Sequence, residues 1–387
     1  MNPTTPALRV VHLNSMLTGG GTDDQCVKLA AQLHRMGCRA VLAGPAGRAF
    51  QKTIDELGAP FQDIGGPGFI LRAARLLRRE KAQIVHGHHG RDLWPTVFAA
   101  RLSGVRPKIV LSRHLAKSPG SLASRLFLLS QCDAIIAVSQ FVANVLREGA
   151  YEPNSPEAER RVRPPMRGDF SKIHVIHCGI NPGRFVPMDA SETRLKLGLK
   201  PGEFAFAVVG GFDLPRGKGQ REFLAAAAQI SARVPQARFL IIGRGTMEQT
   251  LRDDIARLGL EGRAWLTGQV EDMPQVMNAL DCLVHPQIGT EAFPLVICEA
   301  HACGKPVIAS ALDGIPEAFA AGGHGRLVEP ENVDQLAEAM AAQADQPALT
   351  PAQAAAMHQR VEKACSLEGV AANVMRLYCG LIGMHES

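Results

Sequence analysis

Aromatic residues are scarce in this chain. They make up 5% of its 387 residues, with two Trp and two Tyr. A platform on which successive bases stack needs more, which argues against single-stranded nucleic acid as a ligand. No Cys-x-x-Cys pair occurs among the nine cysteines, so a cysteine-based zinc site is not expected. Most of these cysteines lie singly among Ala, Val and Ile and read as small buried thiols of a reducing compartment. No run of about 18 apolar residues is present, so no membrane-spanning helix is expected. The opening MNPTTPALRVVHLN lacks the basic and apolar regions of a signal peptide, which points to a cytoplasmic protein.

What the chain does have is a globular balance, 46% apolar and 20% charged. Its length suits two domains, each large enough to bury a core without staples. The net charge of +5 is unevenly spread. Residues 1–180 hold 24 Lys/Arg against 13 Asp/Glu, and residues 181–387 hold 18 against 24. The first half is thus basic and the second acidic. A basic half suits phosphate-rich partners or an anionic membrane surface, although solubility charge would look the same.

Strand-like and helix-like segments alternate through the first half. Strands are expected at Leu8–Leu13, Cys38–Ala43, Ala82–His86, Lys108–Ser112, Cys132–Ser139 and Ile173–His177. Helices are expected at Thr22–Met36, Leu71–Glu80 and Pro95–Leu102. Residues 149–171 break the rhythm with four prolines and the arginines 160, 161, 163 and 167, and read as a long polar loop. A boundary is placed near 180–195, where the charge balance changes sign. The second half repeats the pattern from Phe204–Val209 onward and closes with Ala-rich helices over Val333–Ala344 and Pro351–Ile382. Such alternation implies an α/β protein with two mostly parallel, doubly wound sheets. Ligands of these sheets bind outside the carboxyl ends of the strands, so the loops after strands are the places to search.

Three such loops are rich in glycine. Gly19-Gly20-Gly21 joins a strand to a helix and suits close approach of an anion to backbone amides, or simply a tight turn. The loop opened by Gly210-Gly211 carries Arg216 and Lys218, and two cations before a helix start suit a diphosphate. Gly243-Arg244-Gly245 is a third strand-end turn, open to a base or phosphate or to no ligand at all. The segment 289–310 places Glu291 eight residues before Glu299, with Phe293-Pro294 as a helix start and Pro at its first position. Glu299 interrupts an apolar stretch and so needs a hydrogen-bonding partner, for which vicinal hydroxyls, a neighbouring amide or an arginine would serve. His86, His88 and His89 form a further cluster. The expectation is that His86 and His88 point to opposite faces of a strand with no acid nearby, so no metal centre is assigned.

The 289–310 segment resembles the E-x7-E region of family 4 glycosyltransferases of GT-B fold, with Glu291 and Glu299 matching its two glutamates. Gly19-Gly20-Gly21 is similar to the family's N-terminal glycine loop, and His114 to a His after an N-domain strand. Val138-Ser139, VIHCGINPGRF at 175–185, Lys218-Gly219, Gly304–Ile308 and Gly314–Glu317 carry the likeness over most of the chain. One departure is Gly211, which stands where many members have an arginine. The resemblance implies two Rossmann-like domains facing across a cleft. Residues 1–185 would bind the acceptor, 186–365 would bind the nucleotide sugar, and 366–387 would form a helical tail returning to the first domain. It implies a retaining sugar transfer from a UDP- or GDP-sugar, with no cofactor and no metal. Catalysis would fall to Glu291, His114, Arg216 and Lys218. The donor would be held by Gly20, Gly21, Gly211, Arg216, Lys218, Arg244 and Glu299.

The implied partners are a nucleotide sugar and a glycan acceptor, with no nucleic acid. In such enzymes the N-terminal domain generally holds the acceptor. The basic first half, with Arg72, Arg75 and Arg79 on one helix face, favours a lipid-linked acceptor such as a lipopolysaccharide or surface-polysaccharide precursor. The protein would then sit at the inner face of the cell membrane. A small soluble acceptor is the alternative. A sugar-nucleotide epimerase of the same architecture and a non-enzymatic nucleotide-binding protein are more distant rivals.

Overall fold

The computed structural model describes residues 7–47, 49–151 and 162–384. Arg160 and Arg161 of the expected polar loop lie outside that range. The chain divides into two compact units. Unit 1 is residues 1–179 with 367–387, and unit 2 is residues 180–366.

Unit 1 contains β1 (Arg9–Leu13), β2 (Arg39–Gly44), β3 (Phe61–Asp63), β4 (Ile84–Gly87), β5 (Lys108–Arg113) and β6 (Ala134–Ala137). A short antiparallel ribbon of β7 (Ala150–Tyr151) and β8 (Val162–Arg163) follows, and then β9 (Ile173–Val175). The seven-stranded sheet runs β3-β2-β1-β4-β5-β6-β9, with every pairing parallel. Unit 2 contains β10 (Phe204–Val209), β11 (Ala237–Ile242), β12 (Ala264–Gly268), β13 (Cys282–His285), β14 (Val307–Ser310) and β15 (Gly325–Val328). Its order is β12-β11-β10-β13-β14-β15, again all parallel. Each unit therefore has the doubly wound order of a Rossmann-like domain. Strand order reverses between β1 and β4 in one and between β10 and β13 in the other. The central strands are buried almost throughout, as parallel strands covered on both faces must be.

The last helical stretch is not continuous. One helix spans Pro351–Cys365 and another Leu367–Ile382, broken at Ser366, whose ψ of 141° is extended. The break falls where the chain passes from unit 2 back to unit 1. There Ala371, Val374 and Tyr378 enter the same core as Val10, Ile84, Val110 and Ile136.

The basic helix of unit 1 spans Phe69–Arg79. Leu76 and Leu77 are core residues, and Leu71 faces outward. Most of its charge is engaged locally. Arg72 donates to the carbonyls of Ile64 and Gly65, and Arg78 to those of Ser103 and Leu102. Arg79 pairs with Glu80 and Gln62. Arg75 remains at the surface.

The core of unit 1 holds imidazoles. His12 and His86 are register partners on β1 and β4, and the His86 and His88 ring centroids lie 4.0 Å apart. The expectation of opposite faces is thus corrected. Side chains alternate with a period of two, so residues 86 and 88 share a face. His86 bonds Tyr378 Oη through Nδ1 at 2.5 Å and Ser112 Oγ through Nε2 at 2.8 Å. His12 Nδ1 and His88 Nε2 are 2.9 Å apart. The three rings bring ligand-type atoms within 4.8 Å of one another. Both ring nitrogens of His86 have protein partners, whereas His12 Nε2 and His88 Nδ1 have none among the described residues, and the set reads as a polar core.

Burial holds His12 down at about 3, and burial followed by the charges of Arg113 and His89 holds His114 down at about 4. His86 and His88 are lowered by burial in the same direction. Below about pH 6.5 the unfolded chain takes up protons that the folded chain refuses, so unfolding is favoured as pH falls. Unit 1 has Trp94 and unit 2 has Trp265 as their tryptophans. In a Trp265→Phe background, the urea midpoint followed by Trp94 fluorescence is expected to fall continuously from pH 7 to pH 4.5. A midpoint that is flat or rises over that interval contradicts this account of the polar core.

Candidate active site

The strand-order reversal of unit 2 lies between β10 and β13, and the loops leaving those two strands meet there. The β10 loop runs from Gly210 to Gly219. The buried Phe212 fixes its centre, its N–H donating to Arg244 O at 3.2 Å and its carbonyl accepting from Met247 N at 3.0 Å. The loop ends at Gly219, which precedes the helix Gln220–Ile230 with φ 85°. A Cβ there would lie 1.9 Å from the carbonyl oxygen of Pro286, in the loop after β13. Only glycine allows both the backbone angle and the contact. The fully buried Gln220 then accepts the Lys218 N–H at 2.7 Å and donates to Gly211 O at 3.3 Å.

This geometry places Lys218 Nζ 2.7 Å from Glu291 Oε2, with side-chain exposures of 37% and 16%. Burial raises the Glu291 carboxyl. The Lys218 charge, the nearby His285, the Lys218 hydrogen bond and the Ala292 amide together outweigh it, so the group is held below its ordinary range and stays ionised. His285, the last residue of β13, is fully buried. Burial and then Lys218 push it down to about 4, against a smaller opposing effect of Glu291. Neither of its ring nitrogens, nor Gln287 Oε1, has a hydrogen-bond partner among the described residues. A buried polar atom so placed calls for water or a polar ligand.

The turn after β14 completes the setting. Asp313 Oδ2 accepts the Glu291 N–H at 3.1 Å, and the Gly314 N–H donates to the Glu291 carbonyl at 3.0 Å. Burial lifts the Asp313 carboxyl to about 6, with the Glu291 charge adding to the rise and the bond from the Glu291 amide opposing it.

The other candidate residues are distributed as follows. Arg216 is half exposed and lies 3.7 Å from Glu331. Arg244 is exposed, and its carbonyl holds Phe212. Glu299 is half buried on the helix Leu295–Ala302. Pro294 caps that helix rather than starting it, so a loop plus about one turn separates Glu291 from Glu299. His114 belongs to unit 1, directly after β5, with Nδ1 3.7 Å from Cys178 Sγ and Nε2 buried with no partner among the described residues. Gly20 caps the helix Gly21–Arg35 in unit 1, and both glycines are exposed. The loop before them is anchored internally. Asp23 accepts the N–H groups of Thr18 and Gly19 at 3.0 and 3.1 Å, so those two amides are already occupied.

Two family models match. "Glycosyltransferase Family 4" covers residues 19–155 and "Glycosyl transferases group 1" covers residues 203–345. The chain is a GT-B-fold relative of the family 4 glycosyltransferases. Among curated relatives, D-inositol 3-phosphate glycosyltransferase of Mycobacterium marinum is 28% identical over 78% of this chain and 63% of its own length. Phosphatidyl-myo-inositol mannosyltransferase of Mycolicibacterium smegmatis is 35% identical over 44% of this chain and 43% of its own. The chain thus spans under two thirds of these two relatives. The Anabaena protein HepE, crystallised with UDP and glucose, is 21% identical over 96% of this chain and all of that one, with a TM-score of 0.79. That likeness carries the fold.

Gly219→Ala is expected to destabilise unit 2 well beyond Gly262→Ala. Both glycines have positive φ, and a Cβ at Gly262 meets nothing within 4 Å. Both variants bear strain of about 1–3 kcal/mol, and the overlap with Pro286 adds about 1–3 kcal/mol more. Denaturation followed by Trp265 in a Trp94→Phe background measures the difference, and equal midpoints would show that the close approach is not a constraint.

Proposed function

We propose that the protein is a retaining glycosyltransferase that moves a sugar from a UDP- or GDP-sugar to a glycan acceptor. The observation that carries this reading is the ionised Glu291 held against Lys218 at the strand-order reversal of unit 2. Breaking a glycosyl–phosphate bond puts negative charge on the departing diphosphate and positive charge on the anomeric carbon. Lys218 stabilises the first, helped by the amides that begin the helix Gln220–Ile230. Arg216 joins it by leaving Glu331, since a half-exposed pair of this kind is worth little. Glu291 faces the sugar and stabilises the second charge. Glu299 takes the ribose hydroxyls, Gly211 and Arg244 flank the nucleotide, and unit 2 is the donor domain.

Unit 1 is read as the acceptor domain, and His114, Gly20 and Gly21 are its candidate ligand-binding residues. The donor phosphate receives the acceptor proton on the same face, so no separate base is needed. Lys218 and Arg216 do the electrostatic work that a divalent metal does elsewhere, which supports a metal-independent reaction.

Glu291→Ala is expected to lower transfer by at least about 100-fold with folding retained. Lys218→Ala is expected to weaken UDP or GDP binding more than uridine or guanosine binding, and wild-type activity should persist in excess EDTA. Turnover of the Glu291 variant within threefold of wild type, or loss in EDTA with rescue by Mg²⁺, counts against this mechanism.

The acceptor reading is a lipid-linked phosphorylated glycan met at the cytoplasmic face of a membrane. It is supported by the 24 Lys/Arg against 13 Asp/Glu of residues 1–180 and by the surface-facing Arg75 and Leu71. No helix among the described residues is long and apolar enough to cross a membrane. The relatives' names point two ways, one to phosphatidyl-myo-inositol and the other to D-inositol 3-phosphate. A panel of nucleotide sugars with lipid-linked and soluble acceptors, run beside liposome flotation at low and high salt, separates the two. Binding to anionic vesicles at low salt and transfer to a lipid-linked acceptor are expected. Transfer to a soluble acceptor alone, with no flotation, favours the alternative.

A further inference from the structure

Both backbone groups of Glu291 are tied to one short turn. Its N–H donates to Asp313 Oδ2 at 3.1 Å, and its carbonyl accepts from Gly314 N at 3.0 Å. Lys218 holds only the side chain. Asp313 itself has φ 51°, a left-handed backbone that few residues other than glycine, Asn and Asp adopt readily. A charged residue therefore occupies a strained turn position with its carboxylate directed at the backbone of the site's other carboxylate.

We propose that Asp313 is a positioning residue for Glu291, and that it holds that glutamate in its working place only while its own carboxyl is ionised, so that sugar transfer is gated on the acid side of neutrality. This rests on the reading of unit 2 as the donor site. A charged acceptor binds an N–H about twice as strongly as a neutral one, so protonation loosens the Glu291 backbone without breaking the fold. Glu291, on the β13 loop, is the charge that acts on Asp313, and Lys218 and His285 act in turn on Glu291. Glu299 and Glu317 lie on the helices Leu295–Ala302 and Ile315–Gly322. Glu291 is held below its ordinary range and His285 sits at about 4, whereas Asp313 sits at about 6. Of these three, Asp313 is the one that changes charge near pH 6.

Two variants test this. Asp313→Asn keeps the shape, the left-handed backbone and a hydrogen-bond acceptor but cannot ionise. Asp313→Gly keeps the backbone and removes the acceptor. Thermal midpoints serve as the folding control. For the wild type, kcat is expected to fall below about pH 6 toward a plateau. Asp313→Asn should run flat near that plateau from pH 5 to 8, with donor KM within about threefold. Asp313→Gly should lose about 10- to 100-fold in kcat at every pH.

A readout independent of the acceptor is calorimetry of UDP and GDP at pH 6. The same affinity is expected in the wild type and in Asp313→Asn. An acid limb retained in Asp313→Asn, or a loss confined to donor KM, overturns the proposal while leaving the donor site standing. A wild type that binds neither UDP nor GDP overturns the donor reading and this inference together.

Discussion

The contact between Lys218 and Glu291 is the constraint around which unit 2 is arranged. Two opposite charges in a partly shielded place hold each other, and removing either one leaves its partner without compensation. Their meeting depends on backbone arrangements far more than on the two side chains. Gly219 lets the β10 loop press against Pro286, Gln220 fixes the Lys218 amide, and the turn after β14 grips Glu291 from behind. Three separate strand ends thus share one ion pair. The fold supplies this convergence because parallel strands deliver all their carboxyl ends to the same edge of the sheet.

The two units spend polarity differently. In unit 2 the sheet and its helices enclose an apolar core that includes Phe206, Phe212, Phe223 and Phe239, and the polar groups described above collect at strand ends. In unit 1 imidazoles lie inside the sheet itself, within bonding distance of Tyr378 and Ser112. A polar core of this type is costly wherever a proton is forced onto it.

Much of this was legible in the sequence. The alternation of apolar strands with helical stretches gives two doubly wound sheets, because period and length separate these elements well. The charged loop residues Lys218 and Glu291 stood out as cations after a glycine turn and a carboxylate before a helix. Less legible were the features set by contacts distant in sequence. The helical break at Ser366 has no local sign in the stretch 351–382, and only the family resemblance implied a tail that begins at 366. Asp313 reads as an ordinary Asp-Gly turn until its carboxylate is seen on an amide 22 residues away. His285 reads as the end of a strand, and its missing partners are a three-dimensional fact. The face shared by His86 and His88 was available from the two-residue period alone. Arg216 shows the opposite difficulty, since loop composition puts a cation near the site but does not say which way a long side chain turns.

The helix Leu367–Ile382 has a consequence for the order of events during synthesis. The core of unit 1 includes Val374 and Tyr378 together with residues as early as Leu8 and Val10. Unit 2, by contrast, is one uninterrupted segment that ends at Ser366. On the ribosome, residues 180–366 can therefore close their core before the N-terminal unit can close its own. The part of the protein made first is completed last, and until then its sheet exposes the apolar surface that this helix is destined to cover.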